Sequence, residues 1–115
     1  MSYSLRTEKM WSETRSDLAR MFATWKVRSW SISCPTKRYD AEVHREDRGV
    51  TIQYEHPVHG SRELTYDKQP RPMDNLRALY LALDSMRLNE LRGIDDVVRE
   101  AYLQLAAPVL SLIHI

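Results

Sequence analysis

The histidines and the single cysteine are the residues of this sequence that could hold a metal ion. His56 and His59 stand three positions apart, beside Glu55, while Cys34 and His44 lie earlier in the chain. Imidazole, thiolate and carboxylate are the usual zinc ligands, but a structural zinc site normally needs four well-placed ligands. No second pair with the required spacing accompanies the first. We therefore expect no metal or other cofactor, and we interpret the two histidines as solvated residues of a turn.

Motifs for nucleophilic or nucleotide chemistry are missing as well. A hydrolase needs a Ser or Cys beside a base and an oxyanion hole, and the chain has neither a G-x-S-x-G nor a Cys–His signature. Cys34 alternates with serines in a strand pattern, which predicts a small buried residue. Gly49, Gly60 and Gly93 form no phosphate-binding loop. The sequence therefore predicts a protein that is not an enzyme.

A basic and aromatic stretch between residues 28 and 48 favours nucleic acid binding. Cationic side chains would contact phosphates, and aromatic rings would stack on bases. The candidates are Arg28, Trp30, Lys37, Arg38, Tyr39, Arg45 and Arg48. The whole chain has 17 Lys and Arg against 16 Asp and Glu, so only a local patch could attract a polyanion. Binding of DNA or RNA therefore stays open as an alternative function.

The elements that must position these residues can be read from the spacing of apolar side chains. From about Thr7 to Trp25 the apolar residues follow a helical period, which predicts an amphipathic helix capped by Ser4 or Thr7. The apolar face consists of Trp11, Leu18, Met21, Phe22 and Trp25.

Between Val27 and Asp67 the apolar period changes to two. This pattern predicts three strands, the last two joined as a hairpin by a turn that contains Pro57 and Gly60. The run AEVHRED, residues 41–47, could extend a strand before the turn at Asp47 to Gly49, although it is strongly charged.

The segment from Pro72 to Leu105 predicts two helices separated by a glycine. The second helix of the chain should begin near Met73 or Asp74, because proline is well tolerated in a first turn. It should end at Gly93, which suits the left-handed residue after a helix. Asp95 and Asp96 then suit the N-terminus of a third helix. The main apolar stripe of the second helix consists of Leu76, Leu79, Tyr80, Leu83, Met86 and Leu91.

The same second helix has another apolar flank beside this stripe. Leu81 and Leu88 form the flank, and Arg77 and Asp84 lie next to them. Protein interfaces favour aromatic, Met and Arg side chains, and an exposed apolar patch commonly marks an interaction site. We predict that these four residues bind a protein partner, which is either an unidentified protein or a second copy in a homodimer.

The run NLRALYLALDSMRLNELRGIDDVVREAYLQLAAP resembles an uncharacterised family of small proteins from bacteriophages and other mobile elements. The likeness extends back to about Met10, and it lies in the spacing of leucine, arginine and tyrosine. In longer members such a segment precedes a J-domain. That domain's histidine-proline-aspartate loop lies between basic helices, whereas His56-Pro57-Val58 lies in a predicted hairpin. The resemblance therefore implies an accessory role without co-chaperone activity.

The final residues, LSLIHI, resemble the translated edge of a sequencing adaptor from metagenomic assemblies. In that interpretation the tail 109–115 is not native, and a C-terminal module is missing beyond Pro108. In the alternative interpretation the tail is a genuine apolar segment that packs beside the third helix.

These observations predict a single α+β domain over residues 1–108. It consists of a helix, a three-stranded antiparallel sheet, and then two helices packed on one sheet face. A lone cysteine and a polar start favour the cytoplasm, and no run approaches the roughly 20 apolar residues of a membrane span. The predicted function is a non-catalytic protein-interaction or accessory module. The alternatives are a nucleic-acid-binding domain and an inhibitor of a host defence nuclease, and the latter rests on the resemblance alone.

Overall fold

The computed structural model describes residues 5–93 and 100–101 of the chain. The elements in chain order are α1 Trp11–Trp25, β1 Trp30–Ser33, α2 Arg45–Arg48, β2 Val50–His56, β3 Gly60–Tyr66 and α3 Pro72–Leu91. The predicted α+β class is thereby confirmed. The chain divides into two compact units, Met1–Leu83 and Asp84–Ile115. The predicted third helix lies outside the described residues, apart from Glu100 and Ala101, which are helical.

The sheet has the order β1-β2-β3, and both pairings are antiparallel. Ile52 of the central strand stands opposite Ile32 on one side and Leu64 on the other. The hairpin between β2 and β3 is closed by Gly60, whose φ of 78° requires the left-handed conformation that glycine adopts without strain. Because side chains alternate along a strand, every second residue faces the helices and the others face away from them.

The hydrophobic core of the first unit lies between α1, the part of α3 that ends at Leu83, and one face of the sheet. Phe22 of α1 contacts Tyr54 of the sheet, with ring centroids 5.4 Å apart. Burial of each large apolar side chain contributes roughly 1.5–3 kcal/mol. The buried cluster consists of Leu18, Met21, Phe22, Val27, Val50, Ile52, Tyr54, Leu76, Leu79 and Leu83.

Helix α1 begins four residues later than the sequence predicted. Its N-cap is Met10, whose backbone N–H donates to the Glu13 carboxylate at 3.1 Å. Thr7 is not the cap, since the helix begins four residues later and the Thr7 hydroxyl accepts the Lys9 N–H instead. The backbone N–H of Thr7 donates to the side chain of Asp74. The other predicted cap, Ser4, lies outside the described residues. A long-range partner, which no local pattern reveals, therefore decides the conformation of Thr7.

The predicted strand extension over residues 41–47 is wrong. Arg45–Arg48 forms the short helix α2, which begins after His44 as its N-cap. None of its residues is buried. A charged run without alternating apolar residues has no face to place on a core, so strand pairing offers it little stabilisation. The backbone instead turns, and the Asp47 N–H donates to the His44 carbonyl at 2.9 Å.

Helix α3 begins at Pro72 and is followed by Gly93 with a φ of 72°, so both predicted boundary signals are confirmed. Leu83 is the last buried residue of its apolar stripe. Met86 and Leu91 were predicted to belong to the same stripe, but they are 40% and 75% exposed. Within the described part of the chain, no helix has the length and apolar character needed to cross a membrane.

Candidate interaction surfaces

Helix α3 carries exposed apolar side chains after its buried first turns. Leu81 is 44% exposed, although it lies between the buried residues Leu79 and Leu83. Leu88 follows two turns later and is half-buried, and Leu91 is the most exposed leucine of the helix. These leucines are spaced by seven and three residues, so they share one side of the helix. We call Leu81, Leu88 and Leu91 the α3 flank.

The charged residues predicted beside this flank have partners within the chain. The Arg77 guanidinium donates to Asp17 of α1 at 2.8 Å and lies over the Tyr80 ring, 4.6 Å from its centroid. Asp84 accepts a hydrogen bond of 2.9 Å from Arg87 one turn later. The hydrogen bond from Arg77 is the main reason why the pKa of Asp17 lies below its ordinary value. Two of the four residues predicted to contact a partner, Arg77 and Asp84, therefore already form polar contacts within the chain. The other two, Leu81 and Leu88, are apolar.

The predicted nucleic acid patch separates into two groups of cations. Arg45 donates to the Asp67 carboxylate at 3.2 Å, and Arg48 donates to the Asp67 carbonyl at 2.8 Å. The Arg45 hydrogen bond lowers the pKa of Asp67. The remaining cations, Arg28, Lys37 and Arg38, are exposed, and their side chains form no ion pair with other described residues.

The two aromatic residues of that patch pack within the chain. Tyr39 stacks on Trp11 with ring centroids 3.7 Å apart and an interplanar angle of 7°. Trp30 packs against Phe22 at 5.3 Å, and the guanidinium of Arg15 lies 5.7 Å from its ring centroid. A nucleobase that stacked on these occupied faces would have to displace the present neighbours, which costs part of the stacking energy of roughly 1–3 kcal/mol.

The predicted description of both hairpin histidines as solvated turn residues is wrong for His56. This residue ends β2, is only 8% exposed, and meets Trp25 edge-on at 5.3 Å. Its Nδ1 accepts the backbone N–H groups of Val58 and His59, each at 3.0 Å. His59 itself is exposed. The side chain of His56 thus supplies the hydrogen bonds that shape the turn.

Cys34 lies just beyond β1 and is half-buried. Its Sγ lies 3.7 Å from the backbone carbonyl of Asp47. Burial raises the pKa of the thiol, which disfavours the nucleophilic thiolate form. This environment agrees with the predicted structural role of the side chain.

The start of α3 holds a buried polar network that the sequence did not reveal. Asp74, at 1% exposure, receives two hydrogen bonds from Arg71, at 2.7 and 3.0 Å, and one from the Thr7 N–H at 2.8 Å. Arg71 also donates to the Thr7 carbonyl, and the Leu5 N–H donates to Gln69. The bond to Asp74 raises the pKa of Arg71.

Asn75 completes this network from a fully buried position. Its amide nitrogen donates to the carbonyls of Arg48 and Gln69, and its oxygen accepts the Gln69 N–H at 2.9 Å. We call Gln69, Arg71, Asp74 and Asn75 the α3-start network. The only local signal for it was a polar Asp-Asn pair after Pro72, which also fits an ordinary solvated helix start. Its role is architectural, since it joins residues 5–7, the end of α2 and α3.

The sheet face that points away from the helices is entirely polar. It consists of Ser31, Ser33, Thr51, Gln53, Glu55, Ser61, Glu63 and Thr65. We call these eight residues the open sheet face. Cross-strand neighbours are hydrogen-bonded, for example Gln53 to Glu63 at 2.8 Å and Thr51 to Thr65 at 2.9 Å. Five residues of the face line a shallow concavity of about 470 Å³ near the hairpin.

Neither a protein-family model, nor a curated protein, nor a solved structure matches this chain.

Proposed function

We propose that the chain is a non-catalytic protein-interaction module that binds a protein partner through the α3 flank. Its accessory role and phage or mobile-element origin are part of this proposal and rest on the sequence resemblance. The observation that carries the binding role is the exposure of Leu81 within a helix whose neighbouring leucines are buried. A partly exposed leucine forgoes part of the roughly 1.5–3 kcal/mol that full burial would contribute, so a row of partly exposed leucines favours an interface.

The polar surroundings of the flank support the same proposal. Arg77 and Asp84 are paired with Asp17 and Arg87, so they keep their charges compensated when a partner covers the leucines. Partner binding would then bury apolar area without stranding an unpaired charge, which would be costly. The raised pKa of Cys34 and the absence of a nucleophile motif support a role without catalysis.

The double substitution Leu81→Lys with Leu88→Lys tests the interaction. The matched control is Ala82→Lys with Asn89→Lys, which adds the same charge at the same spacing on a neighbouring side of α3. In one experiment both variants and the original chain are immobilised and exposed to proteins of the host. In a second, the oligomeric state of each is measured in solution by sedimentation equilibrium. We expect only the leucine variant to lose binding of the partner or of a second copy, while its circular dichroism stays native.

Two results would contradict the proposal. Equal partner retention by the original chain and both variants would show that the flank is not the interface. A turnover that depends on one side chain would show that the protein is catalytic.

The nucleic acid alternative is supported by Arg28, Lys37 and Arg38, the exposed cations of the predicted patch. It is weakened because Trp30 and Tyr39 pack against other rings, and because Arg45 and Arg48 bind Asp67. Binding to mixed DNA and RNA at two salt concentrations distinguishes the two functions, since phosphate contacts weaken steeply with salt. Substitution of Arg28, Lys37 and Arg38 by Gln should abolish salt-sensitive binding at this patch.

Inhibition of a host defence nuclease is the remaining proposal, and its support is the sequence resemblance. It would be one form of protein partner binding. A nuclease that co-purifies with the original chain and not with the leucine variant would favour it, and co-purification with no nuclease at all would count against it.

A further inference from the structure

The strand β3 forms one edge of the sheet over seven residues and contains no proline. The strand at the opposite edge, β1, has four residues, and Pro35 lies two residues beyond its end. Short strands and prolines protect a sheet edge from further pairing. On β3 the side chains of Ser61, Arg62, Glu63 and Thr65 are exposed. The β3 edge is therefore the longer and less protected of the two.

The hydrogen bonds of the sheet fix the direction of its main-chain groups. In an antiparallel sheet the N–H and C=O of one residue point to the same neighbouring strand, and successive residues alternate. The Glu55 N–H donates to the Ser29 carbonyl at 3.0 Å, so the main chain of Glu55 points to the β1 side. That of Tyr54 must then point to β3, where Tyr54 stands opposite Arg62. Arg62 therefore forms its main-chain hydrogen bonds within the sheet.

The same alternation places the main-chain groups of Ser61, Glu63 and Thr65 on the outer side of β3. Among the residues that the structure describes, no backbone hydrogen bond reaches these groups from that side. Unpaired N–H and C=O groups along an edge are a template for another strand. The outer side of β3 thus presents a regular row of donors and acceptors.

The sequence of β3 is complementary to itself in one antiparallel register. When Leu64 stands opposite Leu64 of a second copy, Arg62 stands opposite Tyr66, and Glu63 stands opposite Thr65. Both leucines are half-buried and can cover each other, and a guanidinium beside a tyrosine ring is a favourable cation–π pair. This register places no like charges directly opposite each other.

The neighbouring registers are unfavourable because they bring equal charges together. A shift of the second copy by two residues places Glu63 opposite Glu63 in one direction and opposite Asp67 in the other. A shift by four residues in the first direction places Arg62 opposite Arg62. Like charges directly opposite on paired strands are destabilising. The charges of β3 therefore select the register in which the two leucines meet.

We propose that β3 pairs with β3 of a second copy across a twofold axis between the two Leu64 residues. Two three-stranded sheets then become one continuous antiparallel sheet. Glu63 of each copy exchanges both of its outward main-chain hydrogen bonds with Thr65 of the other. The polar side chains of the open sheet face stay in water, and the leucines meet on the other face. This dimer uses residues outside the α3 flank and does not depend on the function proposed for that flank.

Hydrogen exchange followed by nuclear magnetic resonance tests the strand pairing in the original chain. We expect exchange of the Glu63 and Thr65 amides to slow as the protein concentration rises from micromolar to millimolar, because a second copy protects them. The outward amides of β1, those of Trp30 and Ile32, are the internal control and should exchange at a constant rate. Exchange of Glu63 and Thr65 that does not depend on concentration would overturn the proposal.

The variant Glu63→Pro removes one outward N–H, and Glu63→Ala is its matched control. Both lose the carboxylate, but only proline loses an N–H that a single copy does not use, and proline is tolerated at such edge positions. In sedimentation velocity we expect Glu63→Pro to weaken dimerisation at least about tenfold, since each dimer loses two hydrogen bonds. Glu63→Ala should dimerise like the original chain. Circular dichroism and thermal melting check the fold of each variant.

A dimer that Glu63→Pro retains, or that both variants lose equally, would overturn the proposal. A dimer that is lost in Leu81→Lys with Leu88→Lys and retained in Glu63→Pro would also overturn it, because self-association would then belong to the α3 flank. The reverse result would support pairing through β3 and leave partner binding by the flank to its own test. If Glu63→Pro does not fold, the exchange measurement decides.

Discussion

The two halves of α3 reverse the usual distribution of polar and apolar side chains. In its first turn Asp74 and Asn75 are almost fully buried, whereas later in the same helix Leu81 and Leu91 are exposed. Buried polar groups are stable only when their hydrogen bonds are satisfied, and the α3-start network satisfies them. The buried polar start of the helix therefore contributes stability, whereas Leu81 and Leu91 are available for binding even though Leu83 between them is buried.

Removal of one carboxylate from each half is the strongest way to break this comparison. Asp74→Ala leaves Arg71 and the Thr7 N–H without their acceptor in a buried site, so we expect a loss of about 3–5 kcal/mol in the free energy of unfolding. Asp84→Ala removes the partner of Arg87 from a more exposed pair, and we expect a loss below about 1 kcal/mol. Urea unfolding measures both. Similar losses would show that the two halves do not differ in this way.

Two leucines that lie only two residues apart sharpen the comparison. Leu83 is fully buried, so Leu83→Ala should cost about 2–5 kcal/mol through lost contacts and a residual cavity. Leu81 is exposed, so Leu81→Ala should change the free energy of unfolding by no more than about 0.5 kcal/mol. Thermal unfolding followed by circular dichroism is a sufficient measurement. A large loss for Leu81→Ala would assign that residue to the core instead of the α3 flank.

A smaller effect is expected at the middle of α3, where Arg77 binds Asp17. Because the pKa of Asp17 is lowered in the folded chain, its stabilisation is present above the ordinary carboxyl pKa and is lost as pH falls through the folded pKa. Asp17→Asn should therefore cost about 1 kcal/mol near neutral pH, and this cost should shrink in acid.

Urea unfolding at several pH values between about 2 and about 7 measures this dependence. The control is Asp40→Asn, an exposed aspartate with no ion pair to another described residue. A cost of Asp17→Asn that stayed constant over this pH range would show that the ion pair with Arg77 does not stabilise the fold.

Features with a local cause could be predicted from the sequence. The alternation of apolar residues predicted the three strands, Pro72 predicted the start of α3, and Gly93 predicted its end. Each of these signals depends on a few neighbouring residues. The mistakes concern residues whose environment is set across the chain. Thr7 binds Asp74, which lies 67 residues away, and no helical or strand period encodes such a partner.

The candidate sites show the same division. The helical wheel placed Leu81 outside the main apolar stripe of α3, because that position depends only on spacing, but its exposure of 44% is known only from the fold. The internal partners of Arg77 and Tyr39 could not be predicted from spacing, since Asp17 and Trp11 belong to α1 and lie far away in the sequence. Composition can therefore identify cations and aromatic rings, but only the tertiary fold decides whether they are free to bind.

The α3-start network also bears on the order in which the chain folds. Its hydrogen bonds join Leu5 to Gln69 and Thr7 to Asp74, over separations of 64 and 67 residues. Closing such long loops carries an entropic cost that only later contacts can offset. During synthesis the segment 5–7 emerges long before its partners Gln69 and Asp74. These hydrogen bonds can therefore form only after the start of α3 has been made.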